Sequence, residues 1–432
     1  MERTYIQDLK DNIDKEVSIS GWVDVARNQG KMAFFDFRDG TGFVQGVVFG
    51  KEEVLEIAKA LRPEWVVSIK GKVNKRPEKM INTGVDNGDI ELEIFEINIL
   101  SEAQELPFEK DTELNLDTYL DNMPLTLRSK KAQRIFKTQA KIIKAYREIL
   151  DKNGFIEFQA PKLVGGDAEG GAGVFKVEYF HDKDAYLATS PQLYKQIMVG
   201  VYERVFSTGN VFRAEKHSTT RHINEYTSLD AEFGFIEDHN DVIEELSDVM
   251  KHIGKAVDEV DNLKIPDKIP VMKLRDAQKL ISKDTGEDCT NEPDLEPAHE
   301  RWLSEYALKE LNSDFIFITH YPVSKRPFYT YEDEEDKGFT KSFDLLFRGV
   351  EIATGGQRVH DYNTLLEKLK EKNLDPNDFS FYLQAFKYGM PPHGGWGMGL
   401  ERLTQKIFNL DNVKEATLFP REMNRIDKLL SE

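Results

Sequence analysis

Cationic side chains cluster between two strand-like runs within residues 204–235. The first run ends at Phe212 and Arg213, and the second begins near Glu225 and Tyr226. The loop between them carries Lys216, His217, Arg221 and His222. A guanidinium group presents a planar fork of N–H donors that meets phosphate oxygens in pairs. The pattern therefore predicts a hairpin that clamps a polyphosphate, and the alternative is a charged surface hairpin.

Two later stretches add glycines and carboxylates to this cationic hairpin. Residues 391–407 form a glycine-rich run that leads into a helix carrying Arg402, and glycine lets a backbone approach a ligand closely. Residues 342–358 contain Asp344 and Glu351, whose carboxylate oxygens suit Mg²⁺. The two carboxylates are too far apart in sequence to be neighbours on one strand, so we expect them to flank a site at either end. The alternative is structural ion pairing with Arg348 or Arg358.

Composition limits the class of protein. The 432 residues are enough for two or three domains, and a hydrophobic content of 40% supports ordinary cores. The single cysteine, Cys289, excludes an internal disulfide and a zinc site built from several cysteines. No apolar run approaches the roughly 20 residues of a membrane helix, and the first residues are polar rather than signal-like. We therefore expect a cytoplasmic protein that makes no contact with a membrane.

The net charge of −19 argues against non-specific binding to nucleic acid. It leaves open RNA binding through a local basic patch.

The N-terminal pattern predicts an OB-fold barrel, a frequent binder of single-stranded nucleic acid. Strands are expected at 16–27, 32–38, 43–49, 65–73 and 90–100, with a helix at 51–61 after the third strand. On the second strand Phe35 and Phe37 share one face and Phe34 takes the other. One face must be core, so the other can stack a base. The alternative is a barrel that serves only as a spacer.

Domain boundaries follow from changes in periodicity. We expect an OB-fold domain at 1–105, a proline-containing hinge at 106–130, and a catalytic domain at 131–432. A long amphipathic helix at 131–154, with apolar residues at helical spacing, leads into a strand that stops at Pro161. Signals are weak over much of 237–330, which predicts an insertion.

Short motifs link these stretches to a known family. Phe212-Arg213-Ala214-Glu215 resembles the second signature motif of the class II aminoacyl-tRNA synthetases, and residues 397–402, GMGLER, resemble the third. The similarity covers nearly the whole chain and is greatest to the aspartyl members of archaeal type. It implies an α+β architecture, in which an OB-fold barrel precedes a catalytic domain built on an antiparallel β-sheet flanked by helices.

The resemblance also implies an activity. L-aspartate would be activated by ATP and Mg²⁺ to aspartyl-adenylate and transferred to the 3′ end of tRNA(Asp), with tRNA(Asn) left open as a second substrate. The segment 131–161 would join two copies as a homodimer.

The resemblance assigns roles to individual residues, with Arg213 and Arg402 as the catalytic pair. The residues implied for ATP are Arg213, Glu215, Arg221, His222, Ile223, Tyr226, Glu351, Gly399 and Arg402. Those implied for aspartate are Glu169, Gln192, Lys195, Arg213, Asp230, Thr354 and Arg358. Those implied for the metal are Asp344, Glu351 and Thr354, and those for the anticodon are Arg27, Phe34 and Gln45.

Three other functions remain open at this point. An asparaginyl-tRNA synthetase shares the fold, but the related asparaginyl enzymes carry no lysine at the position of Lys195. A tRNA-independent ammonia ligase that uses aspartyl-adenylate would need no anticodon-reading barrel. A non-catalytic RNA-binding relative would have no reason to keep Arg213, Glu351, Arg358 and Arg402 together.

Overall fold

The computed structural model describes residues 2–85, 87–109, 112–166, 173–258, 260 and 262–430. These residues form two compact units, Met1–Thr112 and Glu113–Glu432. The division falls within the segment predicted to be a hinge, 106–130. The second half of that segment folds into two short helices of the second unit. No helix in the described ranges is long and apolar enough to cross a membrane.

The first unit is a closed barrel of five strands in the order β1-β2-β3-β5-β4. Its elements are β1 (Glu16–Asn28), β2 (Met32–Arg38), β3 (Phe43–Phe49), α1 (Glu52–Ala60), β4 (Val66–Lys75) and β5 (Ile90–Ser101). Phe35 and Phe37 share a face, as the alternation along β2 predicted, and that face is the core: both side chains are fully buried and stack with ring centres 5.5 Å apart. The predicted OB-fold barrel is therefore confirmed.

The second unit is built on an eight-stranded sheet in the order β12-β13-β14-β15-β16-β11-β10-β6. Its strands are β6 (Ile156–Glu157), β10 (Arg204–Phe212), β11 (Glu225–Gly234), β12 (Val271–Lys273), β13 (Phe315–Thr319), β14 (Ser342–Phe347), β15 (Val350–Arg358) and β16 (His393–Gly399). A separate three-stranded sheet contains β7 (Leu163–Val164), β8 (Lys176–Tyr179) and β9 (Lys183–Leu187).

Strand direction in the large sheet differs from the prediction at the two edges. The six strands from β13 to β10 pair antiparallel, whereas β12 and β6 pair parallel to their neighbours. The sheet is therefore mixed rather than purely antiparallel. Each edge strand is joined to its neighbour by a long connection, as parallel pairing requires.

Helices cover this sheet and connect its strands. The α-helices are α2 (Leu116–Asp121), α3 (Met123–Thr126), α4 (Lys130–Lys152), α5 (Gln192–Tyr202), α6 (His239–Val257), α7 (Leu274–Thr285), α8 (Pro297–Glu310), α9 (Tyr362–Glu371), α10 (Ser380–Lys387) and α11 (Leu400–Ile407). Short 3₁₀ helices lie at Ile6–Asn12, Glu78–Met80, Phe180–Asp182, Val323–Lys325 and Val413–Ala416.

The main core lies between one face of the sheet and helices α4, α6 and α11. Along β11, Leu229, Ala231 and Phe233 belong to this core. Because side chains alternate along a strand, the intervening residues point away from it. The opposite face of the sheet is thus free to carry polar side chains.

The segment 237–330, predicted as an insertion, contributes directly to this architecture. Helix α6 supplies buried residues to the main core, and β12 and β13 extend the sheet beyond β14. All five residues of β13 are buried, so the strand lacks the alternation by which a half-buried strand is recognised.

Candidate functional site

A cavity of about 350 Å³ opens on the polar face of the large sheet. Strands β15, β16 and β11 run side by side in that order beneath it. Gly397 on β16, the middle strand, is paired with Thr354 on β15 and with Asp230 on β11. A Cβ at Gly397 would stand 3.0 Å from the Asp230 carboxylate. Glycine at this position therefore keeps the cavity floor open.

Two carboxylates and a hydroxyl form a cluster at this floor. Thr354 Oγ1 donates to Asp344 Oδ1 at 2.9 Å and lies 2.6 Å from Glu351 Oε1. Asp344 and Glu351 thus lie close together across the β14–β15 hairpin, and the prediction that they flank a site at either end of a strand is wrong. The turn, Arg348-Gly349, has positive φ at both residues and returns the chain upon itself.

A β-bulge places Glu351 in this cluster. Leu345 pairs with Ala353, but Leu346 pairs with Glu351, which leaves Ile352 as an extra residue on β15. Without the bulge, the odd spacing between Glu351 and Thr354 would put them on opposite faces. The bulge redirects the Glu351 side chain toward the cavity.

The arginine partners of these carboxylates differ from the alternatives considered from sequence. Asp344 pairs with Arg326 at 2.8 Å, and Glu351 lies 3.9 Å from Arg402. Arg348 instead pairs with Asp314, and Arg358 with Glu232.

The pKa values of these two carboxyl groups are shifted in opposite directions. Burial raises the pKa of Asp344 to about 6, since the nearby charge of Glu351 adds to the effect and the attraction of Arg326 only partly offsets it. Burial also acts to raise the pKa of Glu351, but the charge of Arg402 and the hydrogen bond from Thr354 outweigh it, so that this pKa lies below its usual value.

Three guanidinium groups gather at one end of the cavity. Arg213 directly follows β10 and lies 5.8 Å from the centre of the Tyr226 ring. Arg402, in the first turn of α11, donates to the carbonyl oxygen of Glu351 at 3.1 Å. Arg221 is the third, and this concentration of positive charge suits a polyphosphate.

Arg221 is fixed by two contacts from other elements. Its Nη1 donates to Glu300 Oε2 at 2.6 Å, and its Nη2 donates to the carbonyl oxygen of Gly349 at 2.8 Å. Burial raises the pKa of Glu300, and the charge of Arg221 opposes that shift. Glu300 on α8 therefore holds Arg221, on the loop between β10 and β11, in place.

Two buried cations and two buried carboxylates lie at the other end of the cavity, where Arg358 and Asp230 line it and Lys195 and Glu232 lie behind the lining. Lys195 Nζ lies 3.0 Å from Asp230 and 3.3 Å from Glu232, and it donates to the carbonyl oxygen of Trp396 at 2.7 Å. Arg358 donates from Nε to Glu232 at 2.9 Å and from Nη2 to the carbonyl oxygen of Gly395 at 3.0 Å. Lys195 is 1% exposed and is therefore not on a solvated helix face.

These contacts leave the two cations unequally available. Lys195 Nζ donates to Asp230 and to the carbonyl oxygen of Trp396, lies 3.3 Å from Glu232, and does not line the cavity. Arg358 lines the cavity, and its Nη1 makes no hydrogen bond to the residues that the structure describes. Arg358 can thus meet an anionic ligand directly, while Lys195 lies behind Asp230 and must exchange that contact to do so.

Most residues predicted for the site line the cavity. They are Gln192, Arg213, Glu215, Arg221, His222, Ile223, Tyr226, Asp230, Glu351, Thr354, Arg358, Gly399 and Arg402. Lys195 and Asp344 lie behind this lining, against Asp230 and Thr354 respectively. Glu169 lies outside the described residues.

Sequence reasoning missed Glu232, Glu300 and Arg326. Glu232 carried a usable signal, because it follows Asp230 by two positions on a strand and so shares its face. Glu300 and Arg326 come from a helix and a loop whose approach to the cavity depends on tertiary packing.

The residues predicted to read the anticodon lie together on the barrel. Register pairs Arg27 with Phe34 across β1 and β2, and Asp36 with Gln45 across β2 and β3. Cross-strand partners share a face, so these four side chains form one outer patch. Arg27 is held by Asp36 at 2.9 Å, and Phe34 is half-buried beside them.

Within the described ranges, no group of three or more histidine, cysteine, aspartate or glutamate side chains could hold a metal ion. The Asp344–Thr354–Glu351 cluster offers oxygen donors from two carboxylates and one hydroxyl. Oxygen donors are those that Mg²⁺ prefers, and it commonly takes only one or two protein carboxylates. The donor set therefore fits magnesium.

Comparisons with known proteins agree with this geometry. Residues 115–423 match the family model for tRNA synthetases class II (D, K and N), and residues 17–100 match that for the OB-fold nucleic acid binding domain of anticodon type. The chain is 43% identical to the aspartate–tRNA(Asp/Asn) ligase of Thermus thermophilus, over 98% of this chain and 99% of that protein.

Two further relatives extend the comparison. The aspartate–tRNA(Asp) ligase of Thermoplasma acidophilum is 38% identical over 99% of this chain and 100% of its own length. The solved structure of asparaginyl-tRNA synthetase from Pyrococcus horikoshii, complexed with asparaginyl-adenylate, superimposes with a TM-score of 0.90 at 32% identity, covering 99% of both chains. The family predicted from the signature motifs is thereby confirmed, and the chain belongs to the class II tRNA synthetases of the D, K and N group.

Proposed function

We propose that this chain joins L-aspartate to tRNA in two steps. An oxygen of the aspartate α-carboxylate attacks the α-phosphorus of ATP, the bond to the β-phosphate breaks, and pyrophosphate leaves. The 3′-terminal ribose hydroxyl of the tRNA then attacks the activated carbonyl, and AMP leaves. The observation that carries this proposal is a cavity with three guanidinium groups at one end and Arg358 at the other, where Lys195 lies directly behind Asp230 of the lining.

The first step needs positioning more than proton transfer, because a carboxylate is already ionised near pH 7. Arg213 would hold the α-phosphate. Tyr226 would stack under the adenine and Arg402 above it. Arg221 and His222 would bind the outer phosphates. Stabilisation of the charge that develops on the transferring phosphoryl group is the main catalytic contribution.

Further residues complete the nucleotide site. Glu215 and the main chain at Ile223 and Gly399 would contact the adenine and ribose. Asp344, Glu351 and Thr354 would hold Mg²⁺, which supplies charge neutralisation for the phosphate oxygens when it is bound.

Amino-acid selection is assigned to the buried end of the cavity. Arg358 offers Nη1 to the side-chain carboxylate of aspartate, and Lys195 joins it by exchanging one of its contacts, while Asp230 and Glu232 orient both cations. Gln192 and Glu169 would receive the α-ammonium group. Asparagine, which lacks the negative charge, would leave Arg358 facing a neutral amide, and a site built for a polar partner rejects analogues that fail to supply it.

ATP–pyrophosphate exchange with single amino acids tests this assignment. Aspartate should support exchange, and asparagine and lysine should not. Exchange that prefers asparagine would replace the proposed substrate by that of the Pyrococcus horikoshii enzyme.

We also propose that the outer patch of the barrel binds the tRNA anticodon. Phe34 would stack on a base, and Arg27 and Gln45 would contact base edges, as exposed loop bases allow. An enzyme that charges tRNA for translation is expected to work in the cytoplasm.

The active species is proposed to be a homodimer joined through residues 131–161. β6 ends the large sheet and pairs with β10 alone among the described strands, and Ile156 on it is 44% exposed. Nearby elements expose Leu163 and Tyr202 as well, at 50% and 48%. Sedimentation should give a dimer at micromolar concentration, and a fully active monomer of 49.7 kDa would contradict the proposal.

A further inference from the structure

A chain of buried polar side chains lies behind the cavity wall and ends at Gln192. His393 Nδ1 lies 2.8 Å from the carbonyl oxygen of Pro391, and its Nε2 lies 2.9 Å from Gln196 Nε2. Gln196 Oε1 then accepts from Gln192 Nε2 and from the Tyr382 hydroxyl, each at 3.1 Å. Gln196 and His393 are fully buried, whereas Gln192 reaches the cavity lining.

One end of this chain has a fixed hydrogen-bond direction. The carbonyl oxygen of Pro391 can only accept, so His393 Nδ1 must donate to it. Burial lowers the pKa of His393 to about 4, since the imidazolium form loses its hydration, and the ring is therefore neutral near pH 7. In a neutral ring with a proton on Nδ1, Nε2 is an acceptor.

This fixes the donor and acceptor roles of the next residues in turn. Because His393 Nε2 accepts, Gln196 must turn its NH₂ group toward the histidine and its Oε1 toward Gln192. Gln192 must in turn donate from its NH₂ group, and Tyr382 donates to the same oxygen. The carbonyl oxygen of Gln192 is the end of this amide that remains for a ligand.

We propose that Gln196, anchored by His393, is a positioning residue that fixes the Gln192 amide with its carbonyl oxygen toward the cavity, where it accepts a hydrogen bond from the α-ammonium group of the substrate. This inference rests on the proposed function.

The fixed direction matters because the two ends of an amide are nearly equal in shape. An unanchored Gln192 could rotate and present its NH₂ group to the ammonium, which would replace an attraction by a repulsion between donors. The hydrogen bonds from His393 through Gln196 to Gln192 prevent this rotation. A flipped Gln192 would face Gln196 Oε1 with an oxygen, and that buried acceptor would lose one of its donors.

Substitution of Gln196 by methionine tests whether Gln196 positions Gln192, because methionine is similar in size and does not replace the hydrogen bonds. The measurements are the KM for aspartate and for ATP in pyrophosphate exchange, and the inhibition constant of succinate, which is aspartate without its α-amino group. We expect the aspartate KM to rise tenfold or more, while the ATP KM and the succinate constant stay within about twofold of wild type.

Gln278→Met is the matched control. Like Gln196, Gln278 is buried and donates a hydrogen bond from Nε2, but its acceptor is the backbone carbonyl oxygen of Glu292, outside the cavity. It should leave all three constants unchanged. If Gln196→Met does not fold, Gln196→Asn, which withdraws the amide by one methylene, should give the same pattern.

Two results would overturn the proposal. One is an aspartate KM within twofold of wild type in the Gln196 variants. The other is an equal loss for aspartate and succinate, which would indicate general damage to the pocket. Failure of the proposed function is a separate result, because wild-type enzyme would then show no aspartate-dependent exchange.

Discussion

Replacing Lys195 by methionine should affect both stability and substrate use. The ammonium group lies 3.0 Å from Asp230 and 3.3 Å from Glu232, and the three side chains are at most 2% exposed. Together with Arg358 they form a set of two cations and two anions. Methionine would leave one buried carboxylate uncompensated, and removing one partner of a buried ion pair costs about 3–5 kcal/mol.

Urea unfolding provides the stability measurement. We expect Lys195→Met to lose about 3–5 kcal/mol of unfolding free energy. The double variant Lys195→Met/Asp230→Asn, which removes one charge of each sign, should recover part of that loss. Lys279→Met is the control, because Lys279 pairs with Asp276 at 3.1 Å on the exposed face of α7, and such pairs contribute about 1 kcal/mol or less.

The same variant has a kinetic consequence. With one cation removed, the buried end of the cavity becomes net negative and repels the aspartate side chain. The kcat/KM for aspartate should fall by about a hundredfold, on the order of 3 kcal/mol, with the ATP KM nearly unchanged. A Lys195→Met enzyme as stable and as active as wild type would refute this description of the charge balance.

Other regions of the molecule give three further predictions. Glu300→Gln should raise the ATP KM by roughly tenfold and leave the aspartate KM unchanged, because Arg221 loses a charge-assisted hydrogen bond, and an equal rise in both constants would contradict this. Phe34→Ala should weaken tRNA binding by about 1–3 kcal/mol without changing pyrophosphate exchange, and loss of both activities would show that Phe34 is part of the barrel core. Burial lowers the pKa of His239 to about 4, so its contribution to stability is complete above pH 6.5 and is lost as the pH falls toward 4. Between pH 7.5 and pH 5 this histidine should cost about 2 kcal/mol of unfolding free energy, so that in urea titrations His239→Gln should lose less than wild-type enzyme by about that amount.

The extent of sequence-based prediction differed between the two units. Alternation along short strands was enough to predict the barrel and to put Phe35 and Phe37 on one face of β2, but it did not show which of the two faces is the core. In the second unit, β13 is buried on both faces and gave no such alternation. The strand signal in 237–330 was lost for that reason.

The site shows the same limit at the level of single residues. Arginines and glycines of the signature-like motifs were identified because their types are chemically distinctive. The proximity of Asp344 to Glu351 depends on a hairpin turn and a bulge at Ile352, and side-chain spacing along one strand does not reveal either. The burial of Lys195 depends on Asp230 and Glu232 from β11, which lies far away in sequence.

Charging of purified tRNA by labelled amino acids is the most direct test of the proposed activity. The assay combines tRNA(Asp) and tRNA(Asn) separately with aspartate and with asparagine. The relatives reported above include one named as a tRNA(Asp) ligase and one named as a tRNA(Asp/Asn) ligase. We predict that aspartate is attached to tRNA(Asp), and the tRNA(Asn) reaction decides which of the two kinds this enzyme is. Attachment of asparagine to tRNA(Asn), with no transfer of aspartate to tRNA(Asp), would contradict the assignment.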